Sequence, residues 1–345
     1  MFRLRKIRLE SLALIVFLLL GTSSGHLAVS SGGGASALGS PQTMPAADST
    51  PLPGNGLAQH PFLYCGEWDY VKPQQTIYLV RGGKVDWTYS ISNKMELGDC
   101  WRLSNGNILF TRRAGASEVT PQKQIVWDYD APPNTEIHSA QPIGKDRVLL
   151  MQNGVPAKLM LINIRTGKVE KELTLKTGNP NNVHAQFRRV RMTKAGTLLA
   201  SHLDVGKVIE YDWSGKELWS VDAPSVWDAV RLDNGNTLIS GNQHGWVREV
   251  DPRGKTVWEI NKNDLRGITL YTVQEVERLK NGNTVICNWF GELKPPDWPK
   301  IVQVIEVTPD KKVVWALRDW TDLGPASAIQ LLDEPGVPEN CDLMH

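Results

Sequence analysis

The sequence predicts an all-β protein, a six-bladed β-propeller of four-stranded antiparallel blades closed by pairing its N- and C-terminal segments. Three observations predict it. An Arg-Leu-x-Asn-Gly-Asn segment recurs at Arg102, Arg231 and Arg278, with degenerate copies starting at Pro142 and Arg191. A second motif, Gly-Lys-x-x-Trp, recurs downstream of it and ends at Trp87, Trp219 and Trp258, with close variants ending at Trp127 and Trp315. Successive copies of the first motif are 40 to 49 residues apart. Asn-Gly between apolar runs is a strong hairpin signal, because a type I′ turn needs positive φ at both central residues. Four short strands per repeat of this length make a propeller blade.

The elements follow in order. Arg3, Arg5, Lys6 and Arg8 precede an apolar run over Leu12–Leu20 and small residues from Gly21 to Gly25. That order reads as a signal peptide over residues 1–26, and the run is short for a membrane span. Its removal changes the formal charge of the 345-residue chain from +1 to −2. The expectation is an exported protein, periplasmic or extracellular, with no stable membrane insertion once the signal is cleaved. Residues 27–60, rich in Ser, Gly, Ala and Pro, read as a flexible tether. The propeller spans 61–335, and 336–345 is a C-terminal tail. The first blade has only three strands from Phe62 onward. Its missing innermost strand is supplied by Ser327–Leu332, which closes the ring and protects its edges.

Near-neutral charge argues against a nucleic-acid partner. The basic run Arg188-Arg189-Val190-Arg191 reads as two faces of one strand, with no aromatic stacking platform beside it. A monomer is expected.

The two motifs resemble two related groups of bacterial propellers, the pyrroloquinoline-quinone-like repeat family and the arylsulfotransferase-like propellers, over about residues 62–332. Quinoprotein dehydrogenases add an adjacent Cys-Cys pair and an eight-bladed ring. Cys65, Cys100, Cys287 and Cys341 are isolated here, so that quinone is not implied and no cofactor is expected. Arylsulfotransferases use a histidine on the propeller axis as the sulfate-accepting nucleophile. No local motif transfers that role to one histidine of this chain.

In a propeller, the loops leaving the second strand and entering the first converge on one face around the channel, where ligands usually bind. The position four residues beyond the conserved Leu or Val of the second strand is Arg113, Asn153, His202, Asn242 and Trp289, with Glu67 in its place in the first blade. Blade-entry segments add His138, His184, Gln186 and Arg188, and His244 falls near the same face. Imidazoles in such a cluster can act as base, nucleophile or metal ligand.

The expected function is an exported binding module that holds a small molecule or protein on its loop face. One alternative is an arylsulfotransferase-like enzyme with a channel histidine as nucleophile. Another is a calcium-dependent lactonase-like hydrolase with Glu67, Asn153 and Asn242 as oxygen ligands. Export permits disulfides, and a Cys65–Cys341 bridge would lock the ring.

Overall fold

A computed structural model describes residues 51–69, 71–92, 96–290, 293–342 and 345. The signal peptide and most of the tether lie outside these. Among the described residues, no helix is long and apolar enough to cross a membrane.

Six four-stranded antiparallel sheets make up the fold. From the innermost strand outward, the second blade is Leu97–Arg102, Ile108–Arg112, Gly115–Val119 and Ile125–Asp130. The third is Glu136–Ile143, Arg147–Asn153, Ala157–Asn163 and Val169–Leu175. The fourth is Phe187–Met192, Leu198–His202, Lys207–Tyr211 and Glu217–Asp222. The fifth is Val226–Arg231, Thr237–Gly241, Trp246–Val250 and Thr256–Ile260. The sixth is Thr272–Arg278, Thr284–Trp289, Val304–Val307 and Val313–Leu317. In the first blade Ala328–Leu331 is innermost and pairs with Phe62–Cys65, followed by Gln74–Arg81 and Lys84–Ser92. Its register runs from Phe62 opposite Leu331 to Cys65 opposite Ala328. Both chain segments are therefore needed to complete one sheet.

The repeated motif residues tie each blade to the next. The motif Asn bonds a Glu on the third strand of its own blade, as in Asn107 to Glu118 (2.5 Å), Asn236 to Glu249 (2.6 Å) and Asn283 to Glu306 (2.6 Å). The motif Arg reaches back to the preceding blade. Arg231 pairs with Glu210 at 2.6 Å and lies over Trp219; Arg278 pairs with Glu249 at 2.8 Å and lies over Trp258. Three of the outer Trp in turn donate their indole N–H forward to a proline carbonyl in the next blade: Trp87 to Pro121, Trp219 to Pro252 and Trp258 to Pro309. One joint thus combines a cation–π contact, an ion pair and a hydrogen bond around a partly buried indole.

At the closing joint the same roles are filled by residues from the predicted tether. Trp315 donates to the Gly56 carbonyl at 2.9 Å, and Ala316 N–H donates to the Pro53 carbonyl. His60 takes the place of the motif Arg, with Nε2 3.1 Å from Glu306 and its ring 5.2 Å from that of Trp315. Residues 53–60 are therefore tied to blade six and not part of a free tether, since Pro53, Gly56 and His60 partner Ala316, Trp315 and Glu306.

The tail is also packed. Glu339 accepts from the Ser104 N–H and hydroxyl, and the Glu339 carbonyl accepts from Gly144 N–H. This draws the tail to the second and third blades, on the face of the strand-one turns. There Gln141 donates to Cys341 Sγ at 3.6 Å. Cys65 instead packs in the wall between the first and second blades with Cys100. The proposed Cys65–Cys341 bridge is overturned on this ground, and all four cysteines are buried free thiols.

Candidate functional site

The innermost strands of blades two to six each carry a register shift near their entry, as between Leu97 and Cys100 and between Phe187 and Val190. A bulge puts an extra residue on one strand and re-aims its side chains. In the fourth blade it separates neighbours: Arg188 lines a cavity on the loop face, while Arg189 lies fully buried in the channel beside Arg191. All three arginines of the basic run are buried, so none forms a surface patch.

The cavity measures about 850 Å³ and is open to solvent. On its polar side are Glu67, Glu96, His184, Arg188, Asn242 and Gln274; Trp68, Trp227, Tyr271 and Trp289 form an aromatic side. The aromatic wall depends on the long connection between the second and third strands of blade six, residues 290–303. Its Phe290 and Trp298 pack behind Trp289, with ring centroids 3.7 Å and 4.5 Å apart in succession. Trp68 stands at φ +58, the left-handed region that a bulky side chain rarely adopts.

The polar side is a continuous network. Glu136 Oε2 lies 2.9 Å from His138 Nε2 and 2.8 Å from His184 Nδ1, and its Oε1 accepts from Arg113. His138 Nδ1 is 3.3 Å from Glu96 Oε1. Gly98 makes room for this chain crossing, since a Cβ there would lie 2.8 Å from Thr111 Oγ1 and 3.0 Å from the His138 carbonyl. Glu67 accepts from Gln274 Nε2 at 2.5 Å, and its backbone carbonyl accepts from the Trp289 indole at 3.3 Å.

Burial and the adjacent Glu96 charge push the Glu67 carboxyl well above the usual range. For Glu96 burial acts in the same direction, but the charge and hydrogen bond of His138, with Arg188 and His184, outweigh it and hold the group at about 2. For Glu136 burial is again outweighed, here by the two imidazoles and Arg113, and its carboxyl is held well below the usual range. Glu67 is thus the protonated member and Glu96 the ionised member of a carboxyl pair.

The predicted site residues divide into three groups. Glu67, His184, Arg188, Asn242 and Trp289 line the cavity, and His138 and Arg113 join it through Glu96 and Glu136. Asn153, Gln186 and His202 belong to the wall between blades three and four. Asn153 bonds both backbone groups of Phe187, and Gln186 accepts from Gly154 N–H. His202 accepts from Tyr211 at 2.9 Å, packs on Phe187, and is pushed down to about 3 by burial. His244 is exposed in a turn and lines no part of this cavity. Of the set Glu67, Asn153 and Asn242, the first and last line the cavity and Asn153 does not, being bonded to the Phe187 backbone.

Sequence reasoning missed Glu96, Glu136 and Gln274. Glu96 and Glu136 share one position, six residues before the motif starts at Arg102 and Pro142, and that shared position was a usable signal.

Among the described residues, two groups have donor types and spacing suited to a divalent cation: Glu96, His138 and His184, and the deeper Asp99, Glu275 and His345. Arg188 and Arg113 stand beside the first group and oppose further positive charge. Chemically, the cavity offers a protonated carboxyl, an ionised one, and an imidazole held by a carboxylate.

No protein-family model matches the chain, and no curated protein matches it in sequence. Solved structures do. A protein of unknown function from Bacteroides caccae is 26% identical over 78% of this chain and 97% of its own, with a TM-score of 0.70. A catalytically inactive virginiamycin B lyase from Staphylococcus aureus, solved with quinupristin, is 11% identical over 76% of this chain and 87% of its own, at TM-score 0.51. The Pan2 WD40 domain of Neurospora crassa is 14% identical over 77% and 78%, at TM-score 0.50. The chain is a six-bladed β-propeller, and its likeness to these structures is one of fold.

Proposed function

We propose that the protein is an exported, monomeric propeller that binds a small organic molecule in its loop-face cavity. The observation that carries this reading is the meeting of a continuous Glu–His–Arg network with four aromatic side chains around one open cavity of about 850 Å³. Concave sites of roughly 300–1,000 Å³ with apolar walls and a few convergent polar groups are the usual form of small-molecule sites. Ligand-observed NMR with a fragment library tests it. Fragments should bind the wild-type protein and lose their signals in Trp289→Ala; a library that yields no hit sensitive to that substitution rules the reading out.

A second reading is catalytic, and the Glu136–His184 pair favours it. Nδ1 of His184 is taken by Glu136, while Nε2 makes no hydrogen bond among the described residues and the ring lines the cavity. A carboxylate that fixes an imidazole in this way prepares it as base or nucleophile. In the arylsulfotransferase-like version, Nε2 attacks the sulfur of an aryl sulfate, the bond from sulfur to the aryl oxygen breaks, and the departing oxygen takes the Glu67 proton. Hydrolysis or transfer from 4-nitrophenyl sulfate that is unchanged in His184→Ala would exclude it.

A further inference from the structure

We infer that the cavity takes a short oligosaccharide, with at least one pyranose ring laid against its aromatic wall. This rests on the ligand-binding reading above and names the ligand's class. Six polar side-chain atoms of the lining residues are buried without a hydrogen-bond partner among the described residues. Two are donors, Arg188 Nε and Trp227 Nε1; two are amide acceptors, Asn242 Oδ1 and Gln274 Oε1; two are carboxyl oxygens, Glu67 Oε2 and Glu96 Oε2. Buried polar groups left unmatched are costly, so a matching ligand supplies both donors and acceptors at close range. A sugar hydroxyl does both with one atom.

The aromatic wall adds a second requirement. Trp227, Tyr271 and Trp289 line the same cavity as the carboxyl pair of Glu67 and Glu96. A pyranose has an apolar C–H face and a hydroxylated rim, which suits a lining that mixes aromatic rings with carboxyls and amides. Other ligand classes fit less well. A sulfate-like anion supplies acceptors alone, leaves the Asn242 and Gln274 oxygens unmatched, and meets the ionised Glu96. A flat hydrocarbon matches none of the six atoms. Trp68 at φ +58 stands at the same cavity, and backbone conformations of this kind gather at ligand clamps. Lys262 lines the rim and makes no ion pair among the described residues, which admits an acidic sugar beside neutral ones.

The test is a glycan array of neutral and uronic-acid-containing oligosaccharides probed with the folded protein, followed by calorimetry on the strongest binder. Binding of at least one oligosaccharide is expected, with affinity reduced about tenfold or more in Trp289→Ala. Tyr271→Ala, a half-buried rim position, is the second variant should Trp289→Ala fail to fold, and a several-fold loss is expected there. Binding that neither folded variant weakens would overturn the inference. An array without any bound glycan would also overturn it. If fragments still bind in a manner sensitive to Trp289→Ala, only the sugar assignment falls; if they do not, the ligand-binding reading falls with it.

Discussion

Two clusters of charged side chains occupy the axis of this propeller at different depths, built from the same kinds of residue and put to opposite use. At the loop face, Glu67, Glu96, Glu136, His138, His184, Arg113 and Arg188 surround a cavity, and Arg113 and His184 keep about two fifths of their side chains exposed. Deeper, Asp99, Arg189, Arg191, Asp228, Glu275 and His345 are almost fully enclosed. Arg191 there pairs with Asp99 at 2.8 Å and donates to the His345 carbonyl at 2.7 Å, while Arg189 lies 3.3 Å from Glu275. His345 stacks on Trp101 with ring centroids 3.8 Å apart. Arg189 links the levels by donating to the His138 carbonyl at 2.8 Å. The charges of the deep cluster pair mainly with one another across several innermost strands. Those of the upper one border an open cavity.

The largest effect that separates the two roles is on stability. Asp99→Ala leaves Arg191 buried without its carboxylate and should cost about 3–5 kcal/mol in urea unfolding. Arg113→Ala, at the exposed edge of the upper cluster, should cost about 1 kcal/mol or less. Equal losses would mean that both clusters are structural.

The histidines sharpen the same contrast. His202 is neutral in the blade wall, with its pKa lowered to about 3 against about 6.5 in the unfolded chain. Its native state therefore binds fewer protons than the unfolded state below about pH 6.5. The stability present above that pH is lost as the pH falls toward 3, by about 2 kcal/mol at pH 5. His202→Asn should flatten this acid limb in denaturation curves recorded from pH 7 to 5, although it has no place at the cavity.

A smaller effect of opposite sign belongs to His60. Burial disfavours its charge, but hydrogen bonds to the Glu306 and Asp333 carboxylates and their negative charges outweigh that and raise its pKa above 6.5. Its contribution to the closing joint is full below the unfolded value and is lost as pH rises through the folded one. Melting temperature should decline slightly across neutral pH in the wild-type protein and not in His60→Gln.

Much of the ring was legible in the residues. Motif Arg, Asn and Trp recur in register, so their shared role between blades shows as repetition. Trp87, Trp127, Trp219, Trp258 and Trp315 all fall in outermost strands as expected. The candidate site was legible only in part, since its residues break the repeat. Glu96 and Glu136 appear in two blades, Gln274 in one, and the aromatic lining comes from blades one, five and six, with an insertion in blade six packed behind Trp289. The count along the second strands that gave Asn242 and Trp289 also put Asn153 and His202 at the channel mouth, whereas these two bond within the wall between blades three and four.

By itself the sequence determined the blade count, the strand order and the closure by Ser327–Leu332, because those depend on turns and alternation that act over a few residues. Only the tertiary structure decided which charges face the cavity and which are sealed beneath it. The register shifts separate Arg188 from Arg189, and the pairing of each charge depends on side chains brought from other blades.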